Sequence, residues 1–277
     1  MAMPHEGSRE GTDARSAGGT GAPGDPCAAL PHPRARRMRG PQWDTISISA
    51  AGDPGRTLAL QLPGNPLDPQ WDDHVLFPAI AECARIASVG GKAPHLIAWS
   101  GTLADSLFAA DMRNWMRPGW DALQQRLDRW RGMLEPTGVR LALHPHARHL
   151  LSDVAGSMRI LVDRAGQPFD VICAPAALLT AEMLGDGARE GTRGRIAEAR
   201  DVREHLLRAL SALGPRTPLC ILQDARVAAD AARSGRDVDD ETPALETCAP
   251  GTGALPWDAL RAMTAEHLPA HVPILAE

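Results

Sequence analysis

Short apolar runs alternate with longer amphipathic stretches along the chain from Thr45 onward. Nearly continuous apolar runs are typical of strands that are buried on both faces, as in a parallel sheet. We therefore predict strands at Thr45–Ala50, Thr57–Leu62, His95–Trp99, Val139–Leu143, Asp170–Cys173, Pro218–Leu222 and Val272–Leu275.

The amphipathic stretches predict helices at Asp72–Val89, Trp120–Leu134, Ser152–Arg164, Glu190–Leu213 and Trp257–His267. The polar segment Val227–Gly253 is predicted to be a long loop. Strand–helix alternation indicates an α/β fold, either a barrel or an open doubly wound sheet. No GxGxxG follows the first strand and no GxxxxGK with a following Ser or Thr occurs, which disfavours folds that bind nucleotide phosphates through a glycine-rich loop.

The first forty residues are rich in Gly, Pro, Ala and Arg and have no periodic apolar pattern. We predict a disordered tail over residues 1–42, followed by one folded domain over residues 43–277. The basic run Arg34–Arg39 is interpreted as part of the solvated tail rather than as a patch for nucleic acid. No secretory signal and no stretch of membrane-spanning length is present, so we expect a cytoplasmic protein with no membrane partner.

Charge and cysteine usage exclude further classes of protein. The 277 residues carry a net charge of −5, so no global basic field favours a nucleic-acid partner. The five cysteines form no CxxC pair, which argues against structural zinc and against a disulfide framework. This pattern fits a reducing compartment.

Three histidines, His144, His146 and His149, follow the apolar run at Val139 within six residues. Neutral imidazole is a common metal ligand, and residues two apart on a strand share a face, so His144 and His146 could bind together. The alternative is an ordinary polar strand end with His149 facing solvent.

Seven short motifs occur in an order that resembles the later part of the xylose isomerase-like TIM barrels, over Thr57 to Glu277. They are TLALQLPGN, HLIAWSG, GVRLALHPH, FDVICAPAALL, LCILQDA, GTGALPWDAL and VPILAE. That superfamily includes sugar phosphate isomerases and epimerases, hydroxypyruvate isomerase, inosose dehydratase and endonuclease IV. The resemblance implies a (β/α)8 TIM barrel-like fold with the active site at the C-terminal ends of the strands.

The resemblance also implies a divalent metal (Mn, Mg, Co or Zn) bound by Glu, Asp, His and Glu from the later strands. In that chemistry the metal stabilises an enediol while a carboxylate moves the proton. In this chain His144 stands in place of the first Glu, and Glu277 matches the last one. The other ligand positions are occupied by Ala174, Ala177 and Ile221.

The resemblance therefore leaves His144 and Glu277 as candidates for catalysis and for metal binding. His146, Trp99 and Asp224 are candidates for substrate binding. Trp99 could stack on a sugar or fill the core, and Asp224 could orient a ligand or accept hydrogen bonds from loop amides.

The matched region lacks the first two βα units of such a barrel and its last helix, so we expect an incomplete barrel of about six or seven parallel strands. Exposed strand edges would favour a homo-oligomer or a partner that covers the open edge.

Three hypotheses remain open. The chain could be a sugar phosphate isomerase or epimerase with a changed site. It could be a catalytically silent barrel, a pseudoenzyme, that binds a small sugar, a polyol or a partner protein. It could also be a nonfunctional shortened paralogue. A role on DNA resembling that of endonuclease IV is disfavoured, because it would need more His and carboxylate ligands and a basic face.

Overall fold

The computed structural model describes residues 30, 32–40, 42–48, 56–90, 93–184, 200–227 and 245–277. The strands are β1 (Arg34–Met38), β2 (Asp44–Ile48), β3 (Arg56–Gln61), β4 (His95–Trp99), β5 (Leu141–His144), β6 (Phe169–Val171), β7 (Cys220–Leu222), β8 (Asp224–Val227), β9 (Leu245–Cys248) and β10 (Ile274–Ala276). The helices are α1 (Leu76–Gly90), α2 (Arg117–Leu134), α3 (Val154–Asp163), α4 (Ala181–Leu184), α5 (Arg200–Leu213) and α6 (Trp257–His267). Short 3₁₀ turns lie at Asp73–Val75, Met112–Trp115, Glu135–Thr137, Ala176–Leu178 and Gly214–Arg216.

Eight strands form one sheet in the order β6-β5-β4-β3-β2-β1-β10-β7. The two ends of this sheet meet, because Cys173, just after β6, forms a parallel bridge with Cys220 in β7. The N–H of Ile221 donates to the carbonyl of Cys173 across this seam at 2.8 Å. Every neighbouring pair is parallel except that β2 runs antiparallel to both β1 and β3. Seven strands thus point in one direction, which confirms the TIM barrel-like α/β prediction.

A layer of small and branched side chains fills the interior of this barrel. It comprises Ala35, Ile46, Ala59, Ile97, Ala142, Ile172, Ala174, Leu219, Ile221 and Leu275. Because alternate residues of a strand point to opposite faces, the residues between these positions face outward. Two further apolar clusters lie outside the sheet, one containing residues of α1 and α2 and the other residues of α3, α5 and α6. The packing therefore has the two concentric cores of a barrel.

Strand β1 lies inside the segment that composition predicted to be a tail. Ala35 faces the interior, whereas Arg36 and Met38 are exposed, so the run RARRM follows the two-residue period of a strand. The predicted boundary between residues 42 and 43 thus falls between two strands of the sheet. The part of the predicted tail at residues 1–29, 31 and 41 lies outside the described residues.

The first strands differ from the expected βα units. Strands β1, β2 and β3 are connected as an antiparallel meander, and the described residues between β1 and β3 contain no helix. Among the described residues the barrel is therefore incomplete, as predicted, because no helix connects its first strands, and one bridge joins the two ends of its sheet.

Most remaining element predictions agree with the structure within a few residues. The strand His95–Trp99 and the helix Trp257–His267 have the predicted bounds. The loop prediction for Val227–Gly253 is wrong at its end, because β9 pairs antiparallel with β8 as a hairpin. Residues 228–244 and 185–199, the latter covering the start of the predicted helix Glu190–Leu213, lie outside the described residues. No helix in the described part of the chain is long and apolar enough to cross a membrane.

Candidate functional site at the barrel mouth

A cavity of about 850 Å³ opens at the C-terminal ends of the barrel strands. Its wall includes Arg37 from β1, Trp99 from β4 and His144 from β5, together with Gln223 after β7 and Glu277 after β10. These side chains converge because the strands are parallel, so their carboxyl ends meet at one rim. We call this cavity the mouth.

One side of the mouth is a polar group centred on Glu277, which forms an ion pair with Arg37 and a hydrogen bond with Gln223. Oε1 of Glu277 lies 2.6 Å from Nε of Arg37, and its Oε2 accepts from Nε2 of Gln223 at 3.2 Å. Nη1 of Arg37 also lies 3.6 Å from Oδ2 of Asp44. The backbone N–H of Glu277 donates to the carbonyl of Leu222 at 3.1 Å, which fixes the residue beside β7.

The Glu277 carboxyl is more basic than an exposed one. Burial raises its pKa, and the nearby Arg37 guanidinium and the Gln223 amide offset part of that rise. A half-buried carboxylate with a raised pKa and a cationic neighbour is suited to accepting hydrogen bonds or a proton.

The other side of the mouth is aromatic. The rings of Trp99 and His144 stack with centroids 4.2 Å apart at 13°. Phe108 meets Trp99 edge-on at 5.4 Å, and His146 and His149 also present their edges to the indole. The three histidines thus form one aromatic cluster around Trp99.

All three of these imidazoles are in the neutral form at neutral pH. Burial lowers the pKa of His144 well below its usual value, that of His146 to about 4 and that of His149 to about 3. Nδ1 of His146 accepts from the N–H of Arg148 at 3.2 Å, and Nε2 of His149 lies 2.7 Å from the carbonyl oxygen of Leu107. The expectation that His149 faces solvent is wrong, because its side chain is fully buried.

His144 is 2% exposed, and neither of its ring nitrogens has a hydrogen-bond partner among the described residues. Buried polar groups in native proteins are nearly always paired, so this imidazole in the cavity wall is available for a hydrogen bond to a ligand or to water.

Asp224 is not brought into the mouth. Its carboxylate accepts hydrogen bonds from the N–H groups of Ala225 at 2.8 Å, Gly253 at 2.8 Å and Leu255 at 3.1 Å. It is fully buried by the β8–β9 hairpin and the turn before α6. Of the two interpretations of Asp224, this geometry favours the one in which it satisfies loop amides.

The residues do not fit the metal site that the resemblance implies. Ala174 and Ile221 pack in the barrel interior, and Ala177 packs against the same layer. Within the described ranges, no three His, Cys, Asp or Glu side chains come together as a metal site requires. The site is therefore organised by an ion pair and an aromatic wall.

Arg37 and Gln223 are polar residues of the mouth that the sequence did not indicate. Arg37 was assigned to the tail, because polar and apolar residues do not alternate in RARRM, and only the exposure pattern of β1 shows that it shares a face with Ala35. Gln223 lies directly before Asp224, and no pattern in the sequence distinguishes it as a site residue.

Comparison with solved structures finds enzymes of the xylose isomerase-like TIM barrels at low identity. One is an IolI protein with a bound zinc atom (14% identity, TM-score 0.43, 79% of this chain and 66% of that chain). A second is the probable 3-DHS dehydratase AsbF of petrobactin synthesis from Bacillus anthracis (10%, 0.46, 79% and 68%). A third is the 3-keto-D-glucoside 4-epimerase YcjR from E. coli in its apo form (12%, 0.42, 79% and 71%).

This chain thus spans about two thirds of the length of these structures. No protein-family model and no curated protein matches the sequence.

Proposed function

We propose that the mouth binds a small sugar or polyol. The observation that carries this proposal is the position of the Arg37–Glu277–Gln223 group opposite the Trp99–His144 wall in one cavity. Sugar hydroxyls both donate and accept hydrogen bonds, so they match a carboxylate beside a guanidinium and an amide. The apolar C–H face of a sugar ring matches the indole of Trp99.

His144 supports the same ligand class. Its buried imidazole lacks a hydrogen-bond partner among the described residues, and leaving such a group unpaired costs about 1–3 kcal/mol. A ligand hydroxyl inserted beside Trp99 would supply that partner. A cavity of about 850 Å³ lies within the usual range for small-molecule sites.

A second candidate function is isomerisation of such a sugar between its aldose and ketose forms without a metal. The raised pKa of Glu277 favours it, because a more basic carboxylate is a better acceptor for a proton on the carbon beside a carbonyl. In this reaction Glu277 would take the proton from the hydroxyl-bearing carbon and return it to the former carbonyl carbon, while the hydroxyl proton passes to the former carbonyl oxygen through solvent. Arg37 would stabilise the negative charge that develops on the carbonyl oxygen.

Binding is tested by isothermal titration calorimetry with aldoses, ketoses, inositols and their phosphates, with any affinity tag at the N-terminus. We expect Glu277→Gln and Trp99→Leu each to weaken binding of the selected ligand by about tenfold. Glu277→Gln removes one charge-assisted hydrogen bond, and Trp99→Leu removes the stacking surface. Glu135→Gln is the matched control, because Glu135 is exposed and its ion pair with Arg131 lies outside the mouth. Absence of binding across the whole panel, with the protein folded by circular dichroism, rejects the proposal and leaves the nonfunctional paralogue.

Catalysis is tested separately on any carbonyl sugar that binds. In D2O with a chelator present, proton abstraction by Glu277 exchanges the substrate hydrogen for deuterium, which NMR detects. We expect exchange with the wild type and none with Glu277→Gln. Exchange that survives Glu277→Gln, or binding without exchange, rejects this second candidate and leaves the binding function standing.

A further inference from the structure

The opposite end of the barrel contains a second cavity of about 560 Å³. It is lined by residues at the N-terminal ends of the strands, including Arg56 at the start of β3, His95 at the start of β4 and Arg140 just before β5. Asp170 in β6 and Arg216 before β7 complete its polar wall. We call this cavity the lower pocket.

Asp170 is already neutralised within this pocket. Nε and Nη2 of Arg140 donate to its two oxygens at 2.7 and 2.9 Å, and Nε2 of His95 lies 3.4 Å from Oδ2. This ion pair occupies the only carboxylate among the described residues that line the pocket. Asp170 and Arg140 therefore contribute no net charge to the wall.

Arg56 and Arg216 supply an excess of positive charge. Within the part of the chain that the structure describes, neither forms an ion pair, and both are exposed. Nη1 of Arg216 donates to the carbonyl of Ala212 at 3.4 Å, which uses one of the five N–H donors of its guanidinium.

We propose that the lower pocket binds a small phosphate-bearing anion through Arg56 and Arg216. A concave wall focuses the field of two guanidiniums more strongly than a convex surface does. Guanidinium groups bind phosphate oxygens in a bidentate manner, and Arg140 is held too firmly by Asp170 to compete for them. The pocket is large enough for a phosphorylated metabolite, and inorganic phosphate or pyrophosphate shares the chemistry that is recognised.

This site is independent of the mouth, because the interior layer of the barrel, with Ile97 and Ile172, lies between the two cavities. The lower pocket would therefore bind its anion whether or not the mouth binds a sugar.

The test uses isothermal titration calorimetry of the full chain with pyrophosphate and with inorganic phosphate at low ionic strength. A chloride titration at matched ionic strength separates binding from screening. We expect Arg56→Gln and Arg216→Gln each to weaken pyrophosphate binding by about tenfold, as for loss of one charge-assisted hydrogen bond. Both arginines are exposed, so both variants should fold.

Two control variants locate the bound anion. Arg203→Gln removes an exposed arginine near the start of α5, outside the lower pocket, and is expected to leave binding unchanged. Arg37→Gln tests the mouth in the same way. If Arg203→Gln weakens pyrophosphate binding as much as Arg56→Gln and Arg216→Gln do, the effect is one of general charge and the proposal is overturned. It is also overturned if only Arg37→Gln weakens binding. No binding of either phosphate to the wild type also overturns it.

The identity of the bound group is distinguished by comparing pyrophosphate with glucose 6-phosphate in Glu277→Gln, whose mouth is weakened. Binding of both, lost on Arg56→Gln, indicates that the phosphate is recognised whatever carries it. Binding of pyrophosphate alone limits the site to inorganic phosphates, which still supports the proposal.

Discussion

Asp224 lies at a motif position that predicts a place in the mouth, but the structure places its side chain elsewhere. It is retained in the LCILQDA motif, yet its two oxygens accept hydrogen bonds from the backbone N–H of Ala225 in the same strand and from those of Gly253 and Leu255 before α6. Gly253 is required beside it, because a Cβ at that position would collide with the carboxylate and with Sγ of Cys248. The side chain thus links the β8–β9 hairpin to the turn before α6 through hydrogen bonds.

We expect Asp224→Ala to lower the free energy of unfolding by about 3 kcal/mol, because it leaves several buried N–H donors unpaired. The matched control is Asp258→Ala, whose side chain is 98% exposed and which we expect to lose less than about 1 kcal/mol. Urea unfolding followed by circular dichroism gives both values. Equal decreases in the free energy of unfolding of the two variants would contradict a linking role of Asp224.

The buried histidines predict a dependence of stability on pH. In the unfolded chain an imidazole takes up its proton below pH 6.5, whereas in the folded protein His146 does so near pH 4 and His149 near pH 3. The unfolded state therefore binds more protons in this window, so the free energy of unfolding falls as the pH drops from about 6.5 toward about 4. For His144, His146 and His149 together the slope approaches about 4 kcal/mol per pH unit.

Unfolding in urea at several pH values between 7 and 4.5 measures this slope. We expect His146→Gln to reduce it by about 1.4 kcal/mol per pH unit, the contribution of one histidine. His74→Gln, which replaces an exposed histidine, should leave it unchanged. A wild type whose stability is flat over this range would show that the cluster is accessible to protons.

At the scale of elements, β1 is the strand of the barrel that could not be predicted from the sequence. The strands β4, β5, β6, β7 and β10 were predictable because each belongs to an apolar run that follows an amphipathic stretch. Strand β1 has three arginines in five residues, and its polar and apolar residues do not alternate, so the sequence carries no strand signal there. It pairs with β2, the next strand along the chain, on one side, and on the other side with β10, whose residues are distant in the sequence and are not encoded by local patterns.

The same limit applies to the candidate site. His144, Trp99 and Glu277 were predictable at the strand ends, and the structure places them in one mouth. The loss of Asp224 from the mouth could not be predicted, because it depends on the β8–β9 hairpin, within a segment that reads as a polar loop. Arg37 could not be assigned to the mouth without first recognising β1.

A pair of substitutions in β1 tests its place in the barrel. We expect Ala35→Asp to lower the free energy of unfolding by about 3 kcal/mol or more, because it buries a carboxylate in the interior layer. Arg36→Asp introduces the same side chain on the exposed face and should change stability by about 0.5 kcal/mol or less. Thermal and urea unfolding measure both. Equal changes in the free energy of unfolding of the two variants would indicate that residues 34–38 form a solvated tail and not a strand of the barrel.

At the scale of the whole molecule, strands β1 and β2, between which the described residues contain no helix, have a largely polar outer surface. Strands β1 and β2 direct Arg36, Met38, Thr45 and Ser47 outward, whereas their alternate residues fill the interior. An antiparallel sheet with one polar face can stand in water without a covering layer, unlike a parallel one. A homo-oligomer or a partner on this side stays a prediction, and the polar face weakens the physical need for it.

Closure of the ring determines whether both cavities are concave, since each is bounded by strands on either side of the seam between β6 and β7. Only a single bridge, Cys173 to Cys220, joins these strands. If the barrel is closed in solution, the amide of Ile221, which donates to Cys173, should exchange with D2O as slowly as that of Ile172, which donates to Leu143 at 2.9 Å in the continuous sheet. Amide exchange followed by NMR compares the two directly. If the amide of Ile221 exchanges at the rate of an unprotected amide while that of Ile172 stays protected, the seam opens in solution. The mouth and the lower pocket would then be clefts in a curved sheet, and their charged groups would lie too far apart to act together.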